Sequence, residues 1–450
     1  MNKTLIETYG EARLPRYTSY PTAPLFSSAI GSGDCTRWLA AVPSGSSASL
    51  YLHVPFCRAM CWYCGCHTTI TERDQPILDY LETLKAEIRL VGATRREPLD
   101  IADIHFGGGT PTIISADNFL ALMGVLRENF AIDAATQIAV EIDPRTLRSE
   151  MAGALAEAGV TRASLGVQSF DPVVQKAINR VQSVETTARA VSDLRANGID
   201  AINFDLIYGL PFQTVRSCVE TVEAAIAMRP DRFSVFGYAH VPGFKKHQRL
   251  IDEQVLAGAQ ARNEQAEAIA QTLVAKGYQR IGLDHFALPQ DALAIAATNG
   301  RLHRNFQGYT TDQCTTLIGL GASSIGRFAE GYVQNEVPLG LYGKRIAAGE
   351  LATTRGYALT AEDRLRAEVI ERLMCDFRVD LTSIALSHGC DPMLLSADNN
   401  RLRALIDDGV VDLEAGILQV RDGHRFMIRA VASAFDAYLD SSGRSFSKAA

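Results

Sequence analysis

At 450 residues the chain is too long for one small module, and domains of about 150 residues predict two to three units. Hydrophobic residues make up 47% and charged residues 21%, a core-forming balance that excludes disordered, collagen-like and disulfide-scaffold chains. Lys plus Arg number 44 against 51 Asp plus Glu, a net charge of −7, which argues against a sequence-blind nucleic-acid binder because neutralising phosphates needs a basic surface.

Residues 1–47 contain PRYTSYPTAP and SGSS, with too little periodicity for an independent domain, and are expected to lie as a segment over the mouth of the domain that begins at residue 48. Their opening stretch lacks the continuous apolar run of a secretory signal, and no apolar run of about 20 residues occurs anywhere. No membrane partner is expected, and a cytoplasmic location with reduced thiols is. Of nine cysteines, Cys35, Cys218, Cys314, Cys375 and Cys390 are scattered and read as space-filling. Cys57, Cys61, Cys64 and Cys66 fall within ten residues.

From residue 48 short apolar runs alternate with helical patterns. SLYLHV (49–54) reads as a strand, and Ile77, Leu81, Leu84, Ile88 and Val91 recur at helical spacing after it. Further strands are expected at 101–106, 138–142, 163–167, 202–208 and 232–238, separated by helices at 115–129, 149–158, 183–196 and 214–228. The strand runs read as near-continuously apolar, as when helices cover one face and a filled barrel the other. Six βα units predict an α/β fold with a parallel partial (βα)6 barrel over 48–330, a doubly wound open sheet being the alternative. Residues 331–450 are expected to form a mainly helical cap. In it DRLRAEVIERLMCDF, MLLSADNNRLRALIDDG, a hairpin in GVVDLEAGILQVRDGHRFM and a last helix suggest a winged-helix-like unit. A basic recognition face is missing, so it reads as packing and no nucleic-acid partner is expected.

The unusual residues fall at successive strand ends, where parallel sheets build active sites. The cysteines follow the first strand and Gly107-Gly108-Gly109-Thr110-Pro111 the second; Glu141, Gln168, Asp205 and Tyr238-Ala239-His240 mark the next four. Zinc sites usually join two close cysteine pairs from separated segments, and no second pair lies nearby. Thiolates at C-x3-C-x2-C spacing can instead wrap three corners of a cubane iron–sulfur cluster, leaving one iron open to a chelating amino-carboxylate. Phe56, Met60, Trp62 and Tyr63 would keep water away from it. Cys66 is one residue beyond Cys64, a short reach for a fourth corner, and a fourth thiolate would block the open iron.

A C-x3-C-x2-C loop after a first barrel strand and a glycine-rich turn after the second resemble the radical S-adenosylmethionine superfamily. That resemblance implies a [4Fe-4S] cluster held by Cys57, Cys61 and Cys64, with S-adenosylmethionine on the open iron and a 5′-deoxyadenosyl radical as the product of its reductive cleavage. PRYTSYPTAP (15–24), YLHVPFCRAMCWYCGC (51–66), HFGGGTPT (105–112), EIDPR (141–145), GVQSF (166–170), NFDLIYGLP (203–211), FGYAHVP (236–242) and LHRNFQGYTT (302–311) further resemble the oxygen-independent coproporphyrinogen III oxidases, over essentially the whole chain. This family converts two propionates of coproporphyrinogen III to vinyl groups, giving protoporphyrinogen IX for haem synthesis, and binds two S-adenosylmethionine molecules.

By the resemblance, Tyr51, Gly108, Glu141 and Ile325 match positions at the cluster-bound molecule. Tyr63, Gly109, Thr110, Gln168, Arg180, Asp205 and Ala239 match positions around the second, Tyr63 standing where a relative has Phe. The family retains Cys66 without using it as a ligand. A tetracarboxylate macrocycle calls for cations and aromatic faces, for which Arg16, Tyr17, Tyr20, His303 and Arg304 are candidates; Lys245 and Lys246 read as a solvated loop. An electron donor for the cluster and an electron acceptor are implied but not named by the sequence, and a monomer is expected. A haem-binding chaperone or a radical haem methyltransferase on the same scaffold are the alternatives; Gly65-Cys66 and residues 15–22 speak against the chaperone.

Overall fold

The computed structural model describes residues 3–440 and Phe446. Two helices precede the first strand, α1 (Lys3–Gly10) and α2 (Ser32–Ala41), and then strands and helices alternate. In order they are β1 (Ser47–Val54), α3 (Gln75–Ala93), β2 (Asp100–Gly108), α4 (Ala116–Asn129), β3 (Gln137–Ile142), α5 (Ser149–Glu157), β4 (Arg162–Gln168), α6 (Pro172–Ala177), α7 (Val184–Ala196), β5 (Ala201–Tyr208), α8 (Val215–Ile226) and β6 (Arg232–Gly237). The six strands are hydrogen-bonded neighbours in chain order and all parallel, the arrangement expected of a partial (βα)6 barrel. Helix entry points carry side-chain caps where orphan N–H groups need acceptors: Ser115 for α4, Ser183 for α7 and Thr214, in a capping box with Ser217, for α8.

The structure corrects one expectation. The strands are not uniformly apolar, and the lumen is not filled. Leu50, Leu52, Ile104, Phe106, Val140, Leu165, Phe204 and Phe233 point outward into the main core beneath the helices. Residues on the alternate positions, Ser49, Asp103, His105, Glu141, Ser164, Asn203, Asp205 and Ser234, line an interior cavity of about 230 Å³. Period-two alternation with a polar inner row makes a container rather than a packed core.

After β6 come α9 (Ala259–Ala275), β7 (Gln279–Ile281), β8 (His285–Ala287), α10 (Ala292–Thr298) and the hairpin β9 (His303–Asn305) and β10 (Gly308–Thr310). β8 pairs antiparallel with β6. On the other edge β11 (Thr316–Leu320) runs parallel beside β1, and β12 (Ile325–Arg327), β13 (Gly331–Asn335) and β14 (Thr353–Ala358) extend the sheet antiparallel to twelve strands. The boundary expected at 330/331 therefore moves. β13, α11 (Leu339–Ala347) and β14 belong to the large sheet and its core, to which Val333, Tyr342 and Ile346 contribute.

The C-terminal unit begins with α12 (Ala361–Asp376) and continues through β15 (Arg378–Asp380), α13 (Leu381–Ser387), α14 (Asn400–Asp407), the hairpin β16 (Val411–Glu414) and β17 (Ile417–Val420), and α15 (Ile428–Ser433). Its helix–strand–helix–helix–hairpin order is that of the winged-helix-like unit expected. The unit has its own core, and Tyr17 and Tyr20 from the start of the chain are part of it. The N-terminal segment is thus divided: α1 lies on α9, the two tyrosines enter the C-terminal core, and Trp38, Leu39 and Val42 join the barrel core.

Candidate active site

The cysteine loop leaves the carboxyl end of β1. Phe56–Cys57 pairs in parallel with Thr69–Ile70, which closes the loop at its base. The rest is pinned from two sides. Trp62 N–H donates to Ile178 O at 2.9 Å and Asn179 Nδ2 to Met60 O at 2.8 Å. From the segment after β6, Gln248 Nε2 donates to Tyr63 O at 2.9 Å, His247 Nε2 to Cys64 O at 2.7 Å and Lys245 Nζ to Cys66 O at 2.9 Å. Lys245 is therefore a structural contact of the loop, a correction to its reading as a solvated side chain, whereas Lys246 is exposed.

Each expected ligand sulfur meets a donor. Thr110 Oγ1 lies 3.3 Å from Cys57 Sγ, Arg145 Nη2 and Arg180 Nη1 each lie 3.6 Å from Cys61 Sγ, and the Cys66 N–H donates to Cys64 Sγ at 3.4 Å. The Cys64 thiol is held below the ordinary range, first by a hydrogen bond from the Cys66 thiol and then by the Cys66 N–H and the charges of His247 and Lys245. Such donors suit anionic sulfur. Three thiols each beside an N–H or O–H donor fit a cubane cluster.

Beside the loop, β1 and β2 run in register with Tyr51 opposite His105 and His53 opposite Gly107. The glycine turn is tight by construction. A Cβ on Gly107 would stand 2.8 Å from Glu141 Oε1 and 3.0 Å from the Tyr51 hydroxyl, and one on Gly109 would stand 2.5 Å from Phe56 O. Gly108 has φ +119°, a conformation that favours glycine. Glu141 accepts from Gly108 N–H at 3.2 Å and is paired with His105 Nε2 at 3.1 Å. Burial alone would lift this carboxyl, but the hydrogen bond and charge of His105, together with the Gly108 N–H, hold it below the usual range. Tyr51, Gly108 and Glu141 are brought together at this spot. Ile325 approaches through Gly319, the β11 neighbour of Tyr51, where a Cβ would meet the Ile325 backbone at 2.7 Å.

The second group gathers on the other side of Cys61. Arg180, 7% exposed at its side chain, bonds Gly166 O at 2.6 Å and shares Asp143 with Arg145. A Cβ on Gly166 would touch Gln168 Nε2 at 3.0 Å and Arg180 Nη2 at 3.1 Å. Gln168 itself has φ +67°, unusual for a residue with a side chain and typical of positions held by function. Asp205, in register with Gly166, accepts from Ser164 Oγ at 3.0 Å and Asn203 Nδ2 at 2.9 Å. Burial, with the charge of Glu141, pushes it up to about 6. Ala239 is joined to Tyr63 by one amide: Gln248 Nε2 donates to both carbonyls, and its Oε1 accepts from Val241 N–H.

Of the five substrate candidates, Tyr17, Tyr20 and Arg304 line one pocket, and Arg16 and His303 are not among its lining residues. Arg16 donates to Gly237 O at 3.1 Å at the end of β6, and Arg304 lies nearby against Asp284. Tyr17 and Tyr20 are buried in the C-terminal core, bonded to Asp436 and Ala437 N–H. His303 lies between Glu371 and Gln313. Four residues at the site carried no sequence signal of their own: Asp143, Arg145, His105 and Gln248. The first two lie inside EIDPR, the motif that supplied Glu141, and His105 opens HFGGGTPT, the motif that supplied the glycine turn.

A partial barrel with a three-thiol loop after its first strand and a glycine turn after its second defines a radical S-adenosylmethionine protein, and the family model described as the radical SAM superfamily matches residues 51–225. The chain is 57% identical over 440 residues to the oxygen-independent coproporphyrinogen III oxidase of Bradyrhizobium diazoefficiens, covering 98% of each. With the enzyme of that name from Paracoccus denitrificans it shares 43% identity over 97% of this chain and 96% of the relative. The solved structure of coproporphyrinogen III oxidase (HemN) from Escherichia coli, a radical SAM enzyme, superposes with a TM-score of 0.89 at 37% identity, covering 95% of this chain and all of that one. The chain belongs to the oxygen-independent coproporphyrinogen III oxidase family.

Proposed function

We propose that this chain oxidatively decarboxylates two propionate side chains of coproporphyrinogen III to vinyl groups, giving protoporphyrinogen IX. The observation that carries the reading is the arrangement of Cys57, Cys61 and Cys64, each beside a hydrogen-bond donor, next to the Tyr51–Glu141–Gly108 cluster. When bound there, a [4Fe-4S] cluster and S-adenosylmethionine supply the 5′-deoxyadenosyl radical that takes a hydrogen atom from the substrate. Each propionate then gives up one electron and carbon dioxide, so every conversion needs an electron donor and an electron acceptor.

The chain's residues bind and orient. Glu141, kept ionised, offers a carboxylate to vicinal ribose hydroxyls. Glycines 107–109 allow close backbone approach. Tyr63, Gly109, Thr110, Gln168, Arg180, Asp205 and Ala239 would hold a second S-adenosylmethionine; the unusual backbone at Gln168 and the buried carboxyl of Asp205 support that reading. Cys66 stays outside the ligand set and acts as a donor to Cys64. Among the described residues no helix is long and apolar enough to cross a membrane. Monomeric, cytoplasmic operation remains part of the proposal.

The test is anaerobic reconstitution with iron and sulfide, then incubation with S-adenosylmethionine, dithionite, a chemical oxidant and coproporphyrinogen III. Protoporphyrinogen IX, deoxyadenosine and methionine are expected. Haem binding without turnover, or methylation of haem, would replace this reading with one of its two alternatives.

A further inference from the structure

Several buried arginines of this protein share a carboxylate: Arg145 and Arg180 share Asp143, and Arg162 and Arg232 share Asp291. A third group joins the exposed Arg16 to the buried Arg262 and to Arg304, whose side chain is 6% exposed: Arg16 and Arg262 meet at Gly237, which ends β6, and Arg304 stands by Asp284. The Arg262 guanidinium lies 5.7 Å from the Tyr208 ring centroid. It occupies space that only glycine leaves open: a Cβ on Gly209 would stand 2.6 Å from its Nη1, and one on Gly237 3.0 Å from its Nη2. Arg16 donates to the Gly237 carbonyl through one nitrogen, and Arg304 sits 4.5 Å over the Tyr309 ring. Arg429 anchors the approach by donating to Leu14 O and Pro15 O, which fixes the turn before Arg16.

Two carboxylates act on these three cations: Glu11 on Arg262, and Asp284 on Arg16 and Arg304, the latter at 3.9 Å while Asp284 also bonds His285 Nδ1 at 2.7 Å. Among the described residues Arg304 Nε and Nη1 and Arg262 Nε are buried without a hydrogen-bond partner, as is one nitrogen each of Arg162 and Arg180, which do have a carboxylate. Arg16 is exposed, with the charges of Arg304 and Arg262 working against its cation and Asp284 favouring it; for Arg304 burial opposes the cation, but Tyr309 and Asp284 hold it above the usual range. For Arg262 burial again comes first and prevails over the pull of Tyr208 and Glu11. Arginine stays protonated in proteins, and a buried cation with open donors is costly unless an anion completes it. A planar fork of N–H donors is complementary to a carboxylate.

We propose that Arg16, Arg262 and Arg304 form a carboxylate clamp that grips propionates of the macrocycle while another propionate is processed. Arg262, on α9, is the residue whose role no sequence motif suggested. The inference rests on the function proposed above. The same chemistry could serve the methionine carboxylate of a second S-adenosylmethionine, and the test separates the two sources.

The experiment uses full-length, reconstituted enzyme with Arg262→Gln, Arg304→Gln and the corresponding Lys variants, matched for iron content. Losing one charge-assisted pair should raise KM for coproporphyrinogen III by ~10-fold or more, with KM for S-adenosylmethionine unchanged, and Lys should recover part of the loss. Unchanged substrate KM, or a shift confined to S-adenosylmethionine, overturns the clamp. A second measurement does not depend on variants that fold. Air-stable coproporphyrin III should bind wild-type protein at least ~10-fold more tightly than its tetramethyl ester, which carries no charge; equal affinities overturn the proposal. Failure of wild-type enzyme to turn over coproporphyrinogen III would instead count against the proposed function, whatever the acid-to-ester ratio.

Discussion

Alanine at Gly109 tests whether the glycine turn positions the first ligand cysteine. The added Cβ would stand 2.5 Å from Phe56 O and 2.8 Å from Phe56 N and C, all backbone atoms. Restoring an ordinary 3.4 Å contact requires the Phe56 carbonyl to withdraw by about 0.9 Å, and that carbonyl also accepts the Thr110 N–H at 2.8 Å. Phe56 is bonded to Cys57, so the displacement reaches the sulfur directly. Overpacking of this kind costs ~1–3 kcal/mol, and metal sites tolerate about 0.5 Å of misplacement. Gly124→Ala is the matched control. Its Cβ meets nothing within 4 Å in the middle of α4, so it should be neutral or stabilise by up to ~1 kcal/mol. The assay is iron and sulfide per chain after anaerobic reconstitution, with the thermal midpoint beside it. A Gly109→Ala protein that loads its cluster fully and melts no lower than Gly124→Ala would refute the reasoning.

Three further outcomes are expected. Glu87 is buried and accepts from Gly321 N–H, Asn335 Nδ2 and Tyr342 hydroxyl; burial pushes it up to about 7 against a usual 4.5. Its ionisation therefore disfavours the fold as pH rises from about 4.5 to 7, and the stability gap to Glu87→Gln should move against wild type by up to ~3 kcal/mol across that window. Denaturant midpoints of both proteins at several pH values measure it, and a constant gap would contradict it. Tyr80→Phe removes the donor to His53 O and the acceptor of Ala322 N–H, both buried, and should lower stability by ~1–3 kcal/mol in the same assay. Serine at Cys57, Cys61 or Cys64 should prevent normal cluster assembly, whereas Cys66→Ser should retain iron content and the visible spectrum; loss of the cluster in Cys66→Ser would place that thiol among the ligands.

The barrel strands were legible because outward rows such as Leu50 and Leu52, or Phe204 and Leu206, are apolar enough to mark each strand. The polar inner row was present in the same letters, at Asp103, His105 and Glu141. It was masked by the glycines and short apolar residues between, so the lumen was expected to be filled. α9 escaped notice for a different reason. Its buried face includes Arg262 and Gln265, so hydrophobic periodicity does not trace it. Contacts such as Arg145 to Cys61, 84 positions apart, exist only once the fold has formed. Tyr17 and Tyr20 show a further ambiguity: an aromatic in a polar segment reads equally well as a ligand face or as an anchor, and both tyrosines anchor the C-terminal core while lining the pocket that contains Arg304.

Those anchors set a timetable for manufacture. The C-terminal core encloses side chains made within the first twenty residues together with others made after residue 361. At ~5–20 residues per second, translation keeps the early tyrosines waiting tens of seconds for their socket. Before the last residues are made, the strand ends and the cysteine loop have already been synthesised, while the C-terminal helices that enclose Tyr17 and Tyr20 have not. A chain shortened at either end would therefore lose part of that shared core.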